Sequence, residues 1–197
     1  ERALENQTTL LDALDLVIQF RKKDTTTPIV FMGYMNPFEA MGAENFCSRA
    51  YKSGVDGILL VDMPPEESRN FTRAASSNSI DLIRLIAPTT EEQRIKDICT
   101  DASGYIYYIS VKGVTGANKF DPVEVKSKVD TIQSITDLPV VVGFGIKDAD
   151  SVTSVRDLSD GIVVGSALVS LIAEGKNQLS DKISNKIEEL SSALLGE

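Results

Sequence analysis

The sequence predicts an α/β fold of parallel strands and helices, more specifically a (β/α)8 TIM barrel that lacks its first two βα units. Two observations lead to this prediction. Short β-branched runs alternate with amphipathic stretches from one end of the chain to the other, which is the pattern of consecutive βα units. Two of these runs also end in glycine-rich turns that lie about 20 residues apart, as one short βα unit requires.

Six apolar runs have the length and the β-branched content of buried parallel strands. They are Pro28–Gly33, Gly57–Val61, Asp81–Ile86, Gly104–Ser110, Leu138–Gly143 and Gly161–Val164. The stretches around them predict helices near residues 8–23, 40–53, 65–77, 91–100, 122–134, 148–157, 166–173 and 180–194. Gly54 is expected to be a C-cap glycine, Thr90 to Gln93 a capping box, and Asn36-Pro37 part of a strand-end loop.

The strand count leads to an expectation about what the chain represents. A closed barrel has eight strands and typically about 250 residues, whereas this chain has six predicted strands in 197 residues. Two further βα units of about 30 residues each would supply the difference. We therefore expect a single domain, residues 1–197, that forms the C-terminal three quarters of a barrel and lacks its front.

Composition excludes several classes of function. The formal net charge is −9, which disfavours a nucleic-acid groove or an anionic membrane surface as the partner. The chain contains no histidine, so histidine-based catalysis and histidine metal ligands are excluded, and proton transfer falls to other side chains. Cys47 and Cys99 have no metal-ligand spacing and are expected to be reduced thiols, as in the cytoplasm.

The two glycine-rich turns predict a phosphate site. Gly143 and Gly145 follow one β-branched strand, and Gly165 and Ser166 follow the next, with a predicted helix after each turn. Backbone N–H groups at such turns and at helix N-termini bind anions. The equivalent turns of (β/α)8 barrels, after strands 7 and 8, hold phosphate. A tight turn without a ligand is the alternative for either motif alone.

A tyrosine-rich strand precedes these turns. Tyr105 and Tyr107 alternate along it, so both rings face the same side of the sheet. The loop that follows, from Gly113 to Asn118, is flanked by glycines. Two readings remain open at this point: tyrosines that contact a substrate, or a barrel core with two buried tyrosines beside a flexible loop.

Taken together, these motifs resemble the tryptophan synthase alpha chain family, and the resemblance covers essentially the whole sequence. The motifs that carry it are Gly113-Val114-Thr115-Gly116, Val142-Gly143-Phe144-Gly145-Ile146, the stretch from Asp160 to Val169, Met32-Gly33-Tyr34-Met35-Asn36-Pro37, and the stretch from Gly54 to Glu67. The resemblance implies a (β/α)8 barrel and the retro-aldol cleavage of indole-3-glycerol phosphate to indole and glyceraldehyde 3-phosphate.

The resemblance also assigns residues. It implies that the substrate phosphate binds the amides of Gly116, Gly145, Gly165 and Ser166, and that Thr115 lies in a loop closing over the site. It further implies that Tyr107 and Tyr105 lie beside the substrate, and that Phe144 and Met32 line the indole pocket.

The catalytic acids are expected to lie outside this sequence. Cleavage requires a proton for the indole ring and a base for the glycerol hydroxyl, which suits two carboxylates in a water-excluded pocket. In the family both come from a segment resembling Glu-Leu-Gly-x-Pro-Phe-Ser-Asp-Pro and the loop after it, and no stretch here matches it. We therefore expect both upstream of Glu1. Asp62, at a strand end, is the one candidate replacement within the chain.

The resemblance implies a partner but no cofactor or metal for this chain. A pyridoxal-phosphate beta subunit would dock on the same face in an α2β2 heterotetramer, with Asn36, Pro37, Asp62 and Pro64 as contact candidates. Two alternatives remain open. One is a catalytically silent subunit that binds a phosphorylated ligand and activates its partner. The other is a different phosphate-binding barrel enzyme, such as a phosphoribosyl isomerase or thiamin phosphate synthase.

Overall fold

The computed structural model describes residues 5–63, 68–110, 121–143, 145–175 and 177–196. The chain divides into two compact units. Unit 1 comprises Glu1–Arg84 and Thr100–Gly104, and unit 2 comprises Leu85–Cys99 and Tyr105–Glu197. The prediction of an α/β chain is confirmed, because helices and parallel strands alternate in both units.

Unit 1 contains the first strands of the chain and the helices between them. In chain order the elements are α1 (Leu10–Arg21), β1 (Val30–Gly33), α2 (Met35–Met41), α3 (Ala43–Ser53), β2 (Gly57–Leu60), α4 (Arg69–Ser77) and β3 (Asp81–Ile86), whose last two residues belong to unit 2. Strand β2 pairs in parallel with both β1 and β3.

Unit 2 repeats the alternation with three more strands. The elements are α5 (Glu92–Thr100, whose last residue belongs to unit 1), β4 (Ile106–Ile109), α6 (Pro122–Gln133), β5 (Val140–Gly143), α7 (Ala149–Thr153), β6 (Gly161–Val163), α8 (Ser166–Ala173) and α9 (Leu179–Leu195). Strand β5 pairs in parallel with both β4 and β6.

Apolar faces of helices cover the strands in each unit. In unit 1, the rings of Phe38 and Phe46 meet edge to face with centroids 4.6 Å apart, an arrangement that aromatic pairs favour. In unit 2, helix α6 buries Val125, Val129 and Ile132, which lie three to four residues apart and so share one face. The strands are nearly all apolar because both of their faces are covered.

Aspartates just before strands hold the backbone of the neighbouring strand. Asp56 precedes β2, and its Oδ2 accepts hydrogen bonds from the Ile29 N–H at 2.7 Å and from the Arg21 guanidinium at 2.6 Å. Asp160 precedes β6 in the same way, and its Oδ2 accepts from the Val140 N–H at 2.8 Å. These bonds fix where each strand begins. They lie at the N-terminal edge of the strands, whose residues contribute to stability in βα barrels.

The predicted elements are confirmed with three corrections. One is that α7, predicted over residues 148–157, ends at Thr153. All six strands are present, most of them shorter by one to two residues at an end, and the helix at 166–173 has the predicted bounds. Residues 35–41 form the helix α2 instead of a loop, and the helix predicted from residue 40 begins only at Ala43. Gly42 lies between the two helices and has φ +83°. This backbone conformation is costly for other residues, which explains why a glycine stands here.

Local cap signals are borne out in part. Gly54 ends α3 in the left-handed conformation with φ +94°, as expected of a C-cap glycine. Helix α5 begins at Glu92, and the Thr90 hydroxyl instead accepts a hydrogen bond from the Ala87 N–H at 3.1 Å. Cys47 is buried and Cys99 half-buried, and both are free thiols. In the part of the chain that the structure describes, no helix combines the length and apolarity of a membrane span.

Candidate functional site

The candidate site lies in unit 2, where β4, β5 and β6 end side by side. The strand register pairs Ile109 with Gly143 and Gly143 with Val163. The turns after β5 and β6 therefore leave the sheet at the same edge, which is the edge that carries active sites in parallel α/β folds. The predicted neighbourhood of the tyrosine strand and the two glycine turns is thus present in the structure.

Tyr107 lies directly against Gly143. A Cβ atom added to Gly143 would lie 2.1 Å from the Tyr107 hydroxyl oxygen and 2.5 Å from its Cζ. Distances this short exclude any side chain at position 143, since real Cβ contacts are essentially never below 3.0 Å. Glycine at this position therefore allows the tyrosine hydroxyl to reach the end of β5.

Burial controls the charge state of the tyrosines. It raises the pKa of Tyr107, and the neighbouring Tyr105 raises it further. Burial also raises the pKa of Tyr105. On the other side of the strand, burial and then Glu124 raise the pKa of Tyr108 to about 12. A tyrosine hydroxyl is already protonated at neutral pH, and the raised pKa values extend this state to higher pH, so all three hydroxyls can donate hydrogen bonds.

Ser110 fixes the end of β5. Its backbone N–H and its Oγ both donate hydrogen bonds to the Gly143 carbonyl, each at 3.0 Å. Because the Gly143 carbonyl accepts two hydrogen bonds, the peptide against which the Tyr107 hydroxyl packs has a fixed position. Sequence reasoning assigned no role to Ser110 and placed Gly143 only within a turn motif. The signal available for Gly143 was its position at the end of a β-branched strand.

The turn after β5 requires glycine for a different reason. Gly145 has φ +79°, a left-handed conformation that costs other residues about 1–2 kcal/mol. The next residue, Ile146, is buried at 3% exposure and anchors the turn in the core. Gly145 itself is exposed, so its backbone is accessible at the edge where the strands end.

The turn after β6 leads directly into α8. Gly165 is the N-cap of this helix, no side chain caps it, and its first turn contains no acidic residue. The Gly165 carbonyl accepts a hydrogen bond from the Val169 N–H at 3.1 Å. Gly165 and Ser166 are both exposed. The first N–H groups of a helix have no partner within it, and they carry a partial positive charge.

Gly165 also has open space above its Cα atom. A Cβ built there would meet no atom of the other residues that the structure describes within 4 Å. Its φ of −119° lies outside the left-handed region that favours glycine. Neither packing against the described residues nor a left-handed backbone explains the glycine here, in contrast to Gly143. What a glycine provides at such a place is close approach of a ligand to the backbone.

The groups at this edge are of the kinds that bind phosphate beside an aromatic side chain. Helix α8 offers backbone donors and the positive end of its dipole, and the Tyr107 hydroxyl reaches the edge at Gly143. Tyr105 lies two residues before Tyr107, just before β4 begins. A protein with net charge −9 can bind a phosphate in this way without a cluster of basic side chains. Among the described residues, no group of three or more His, Cys, Asp or Glu side chains could hold a metal ion.

The remaining candidate residues of unit 1 lie around the end of β1. Met32 is in β1 and is 59% exposed. Asn36 and Pro37 lie exposed in the first turn of α2, not in the loop that was predicted. Proline is compatible with a first turn because its missing N–H has no partner there. The Asp62 carboxylate accepts a hydrogen bond from the Met35 N–H at 2.7 Å, so it stabilises the start of this helix.

Four other candidate residues lie outside the described residues: Pro64, Thr115, Gly116 and Phe144. Their assignment to partner contact, loop closure, phosphate binding and the indole pocket stays a prediction. Asp121, which follows the 111–120 segment, caps α6, and its Oδ1 accepts a hydrogen bond from the Val123 N–H at 2.9 Å. It therefore has a structural role at the start of that helix.

The chain is similar to proteins of known name over nearly its whole length. The family model described as "Tryptophan synthase alpha chain" matches residues 1–194. The tryptophan synthase alpha chain of Acinetobacter baumannii is 46% identical over 195 residues, which are 98% of this chain and 73% of that relative. The one from Thioalkalivibrio sulfidiphilus is 51% identical over 88% of this chain and 65% of that relative.

Solved structures agree with these relatives. The crystal structure of the tryptophan synthase alpha chain from Legionella pneumophila matches 99% of this chain and 73% of its own, with a TM-score of 0.87 and 35% identity. A structure of the tryptophan synthase α2β2 complex from Pyrococcus furiosus, described as the basis of mutual activation, matches 100% of this chain and 77% of its own, with a TM-score of 0.86 and 37% identity. The predicted barrel fold class is thereby confirmed, and the chain belongs to the tryptophan synthase alpha chain family.

Proposed function

We propose that the protein cleaves indole-3-glycerol phosphate to indole and glyceraldehyde 3-phosphate, as the alpha subunit of a tryptophan synthase. The observation that carries this proposal is the open glycine, Gly165, at the uncapped start of α8, on the same sheet edge as the Tyr107–Gly143 contact. A substrate with a phosphate at one end and an aromatic ring at the other requires these two features side by side.

In this proposal the phosphate binds the backbone N–H groups of Gly145, Gly165 and Ser166, together with that of Gly116. The dipole of α8 and the orphan amides of its first turn stabilise the dianion. An uncapped N-terminus without an acid in the first turn supports this assignment. Thr115 belongs to a loop that closes over the bound substrate and excludes water.

The tyrosines position the rest of the substrate. Tyr107 is 7% exposed and rests on Gly143, so its ring is rigid and can orient the substrate without a further entropy cost. Its hydroxyl is protonated at neutral pH and can donate a hydrogen bond, and the raised pKa extends this state to higher pH. Tyr105 lies beside it, and Phe144 and Met32 are proposed to line the indole pocket.

The partner in this proposal is a tryptophan synthase beta subunit, in an α2β2 assembly. The chain needs no cofactor of its own, since the pyridoxal phosphate belongs to the beta subunit. Asn36, Pro37, Asp62 and Pro64 are proposed to contact it. The Asp62 bond to the Met35 N–H supports this surface, because it fixes the helix that presents Asn36 and Pro37.

We also place the protein in the cytoplasm. We infer that residues 1–197 form a single domain, and one cooperative unfolding transition would support this inference.

Indole release from indole-3-glycerol phosphate tests the proposal. The purified full protein should release indole alone and faster with a pyridoxal-phosphate-loaded beta subunit. Gly165→Val should raise KM about tenfold, equivalent to about 1.4 kcal/mol, because the side chain blocks approach to the amides. Ser170→Val, an exposed position later in the same helix, is the matched control and should leave KM unchanged.

Two outcomes would contradict the proposal in different ways. Activation of the beta subunit without any indole release would favour the silent binding subunit. Neither activation nor indole release, in a folded protein that contains the family's two catalytic carboxylates, would exclude an alpha-subunit function and favour another phosphate-binding barrel enzyme.

A further inference from the structure

Unit 1 contains a cavity that the proposed function does not use. It has a volume of about 460 Å³ and lies between the end of α4, the start of β3 and the segment from Thr100 to Ser103. None of its lining residues belongs to the site described above. Its volume falls within the range of small-molecule sites, about 300–1,000 Å³.

The polar side chains of the lining all carry oxygen atoms. Hydroxyl groups come from both sides of the cavity, and two carboxylates lie among them; the set includes Thr72, Ser76, Ser79, Ser103, Asp81 and Asp101. No lysine or arginine lines it. Oxygen acceptors without a basic side chain favour a ligand that donates hydrogen bonds and carries positive charge.

The two carboxylates have no counter-charge. Asp101 Oδ2 accepts a hydrogen bond from the Ser68 hydroxyl at 3.1 Å, which leaves its Oδ1 outside that bond. In the part of the chain that the structure describes, neither Asp101 nor Asp81 makes an ion pair. Two like charges at one cavity repel each other unless a cation lies between them.

The end of α4 and one unpartnered hydroxyl also border this cavity. Helix α4 ends at Ser77, next to the lining residue Ser76. Thr72, also in the lining, has a buried Oγ1 without a hydrogen-bond partner among the described residues, and buried hydroxyls are normally paired.

The remaining surface of the cavity is apolar. It is formed by Ala75, Ile80 and Leu82, each at most 3% exposed, together with Ala102. Such a surface packs against methylene groups. We propose that this cavity is a second ligand site, specific for a small organic cation: a primary amine on a short alkyl chain. The ammonium group binds between Asp81 and Asp101, and the chain lies along the apolar residues.

Calorimetric titration of the full protein with 1,4-diaminobutane tests the site directly. The expected result is saturable binding with a dissociation constant of up to about 10 mM. Asp101→Asn and Asp81→Asn should each weaken it by about tenfold or more, because each removes one of the two charges. Asp15→Asn, an exposed carboxylate on α1, makes the same change of net charge and should shift the affinity less than twofold.

Three related probes define the specificity. Butane-1,4-diol and succinate keep the four-carbon chain but remove the positive charge or reverse it, so neither should bind. Ammonium chloride keeps the charge without the chain and should bind at least tenfold more weakly than the diamine.

Any of four results would overturn the proposal: no binding of the diamine, equal binding of ammonium, binding of succinate, or equal losses in Asp15→Asn and Asp101→Asn. Circular dichroism of each variant distinguishes unfolding of the protein from loss of the cation site alone. Indole release in Asp101→Asn should match the unsubstituted protein, so the proposed enzymatic function and the cation site can fail independently.

Discussion

Gly143 and Gly165 lie at the ends of two neighbouring strands and have opposite surroundings. Gly143 is the last residue of β5, and Gly165 follows the end of β6 by two residues. A Cβ at Gly143 would lie 2.1 Å from the Tyr107 hydroxyl oxygen, whereas a Cβ at Gly165 would meet no other described residue within 4 Å. The first glycine makes room for a side chain of the protein itself, and we infer that the second makes room for a ligand.

This difference teaches how a glycine in a turn should be interpreted. A glycine that packing or a left-handed backbone requires says nothing about a ligand, because the fold alone explains it. A glycine with an ordinary φ and open space around it, at an uncapped helix start, has no structural explanation of that kind. The ligand inference therefore rests on Gly165 and α8 more than on Gly143 or Gly145.

The largest expected effect on stability is that of Gly143→Ala. The added methyl group overlaps the Tyr107 hydroxyl, so the ring or the strand must shift, and overpacking of this kind costs about 2–3 kcal/mol. Urea unfolding measures the loss in the free energy of unfolding. In a Tyr107→Leu background the same substitution should cost much less, because the clashing atoms are gone. An unchanged free energy of unfolding in Gly143→Ala would show that the contact is not tight.

Gly145→Ala should cost less, about 1–2 kcal/mol. Its cause is the left-handed backbone with φ +79° and not a clash, so no second substitution at Tyr107 should rescue it. Urea unfolding of Gly145→Ala measures this loss in the free energy of unfolding. Rescue by Tyr107→Leu would contradict the distinction between the two glycines of this turn.

High pH should lower the free energy of unfolding through the buried Tyr108. Burial raises the Tyr108 pKa from about 10 to about 12, so the folded state keeps a proton that the unfolded state loses. Stability is therefore full below pH 10 and falls as the pH rises above it, by somewhat under about 1 kcal/mol at pH 10.5. Tyr105 and Tyr107 act in the same direction.

A comparison of urea unfolding at pH 8 and pH 10.5 measures this loss. Tyr108→Phe removes the titrating hydroxyl and should reduce the difference between the two pH values. A difference that is the same in the variant would mean that Tyr108 is not buried as the structure has it.

The smallest expected effect on stability is that of Gly165→Ala. Open space and an ordinary φ predict a change in the free energy of unfolding within about 0.5 kcal/mol, in either direction. A loss as large as that of Gly143→Ala would give Gly165 a packing role and remove the main argument for a ligand there.

The strands and the strand-end glycines could be predicted because their signals are local. A buried parallel strand is a short β-branched run, and the chain places each of these runs between amphipathic segments. The same reasoning placed Tyr105 and Tyr107 on one face. Local reasoning also predicted a phosphate site at the two glycine-rich turns, and the family resemblance then implied that the amides of Gly145, Gly165 and Ser166 bind the phosphate. This assignment remains a proposal.

The features that were missed depend on contacts distant in sequence. Helix α2 was read as a loop because Asn36 and Pro37 are typical of turns, whereas the stabilising Asp62 lies 27 residues from Met35. The contact between Tyr107 and Gly143 depends on the register of β4 against β5, which no local pattern fixes. The cavity beside Asp101 likewise forms only when α4, β3 and the segment after α5 come together.

The most direct test of the central claim is the affinity for glyceraldehyde 3-phosphate of the unsubstituted protein, Gly165→Val and Ser170→Val. The account predicts that the unsubstituted protein and Ser170→Val bind equally, while Gly165→Val binds at least tenfold more weakly, a loss of about 1.4 kcal/mol, with its fold intact. Equal affinity in all three proteins would contradict the account, because the start of α8 would then not be where the phosphate binds.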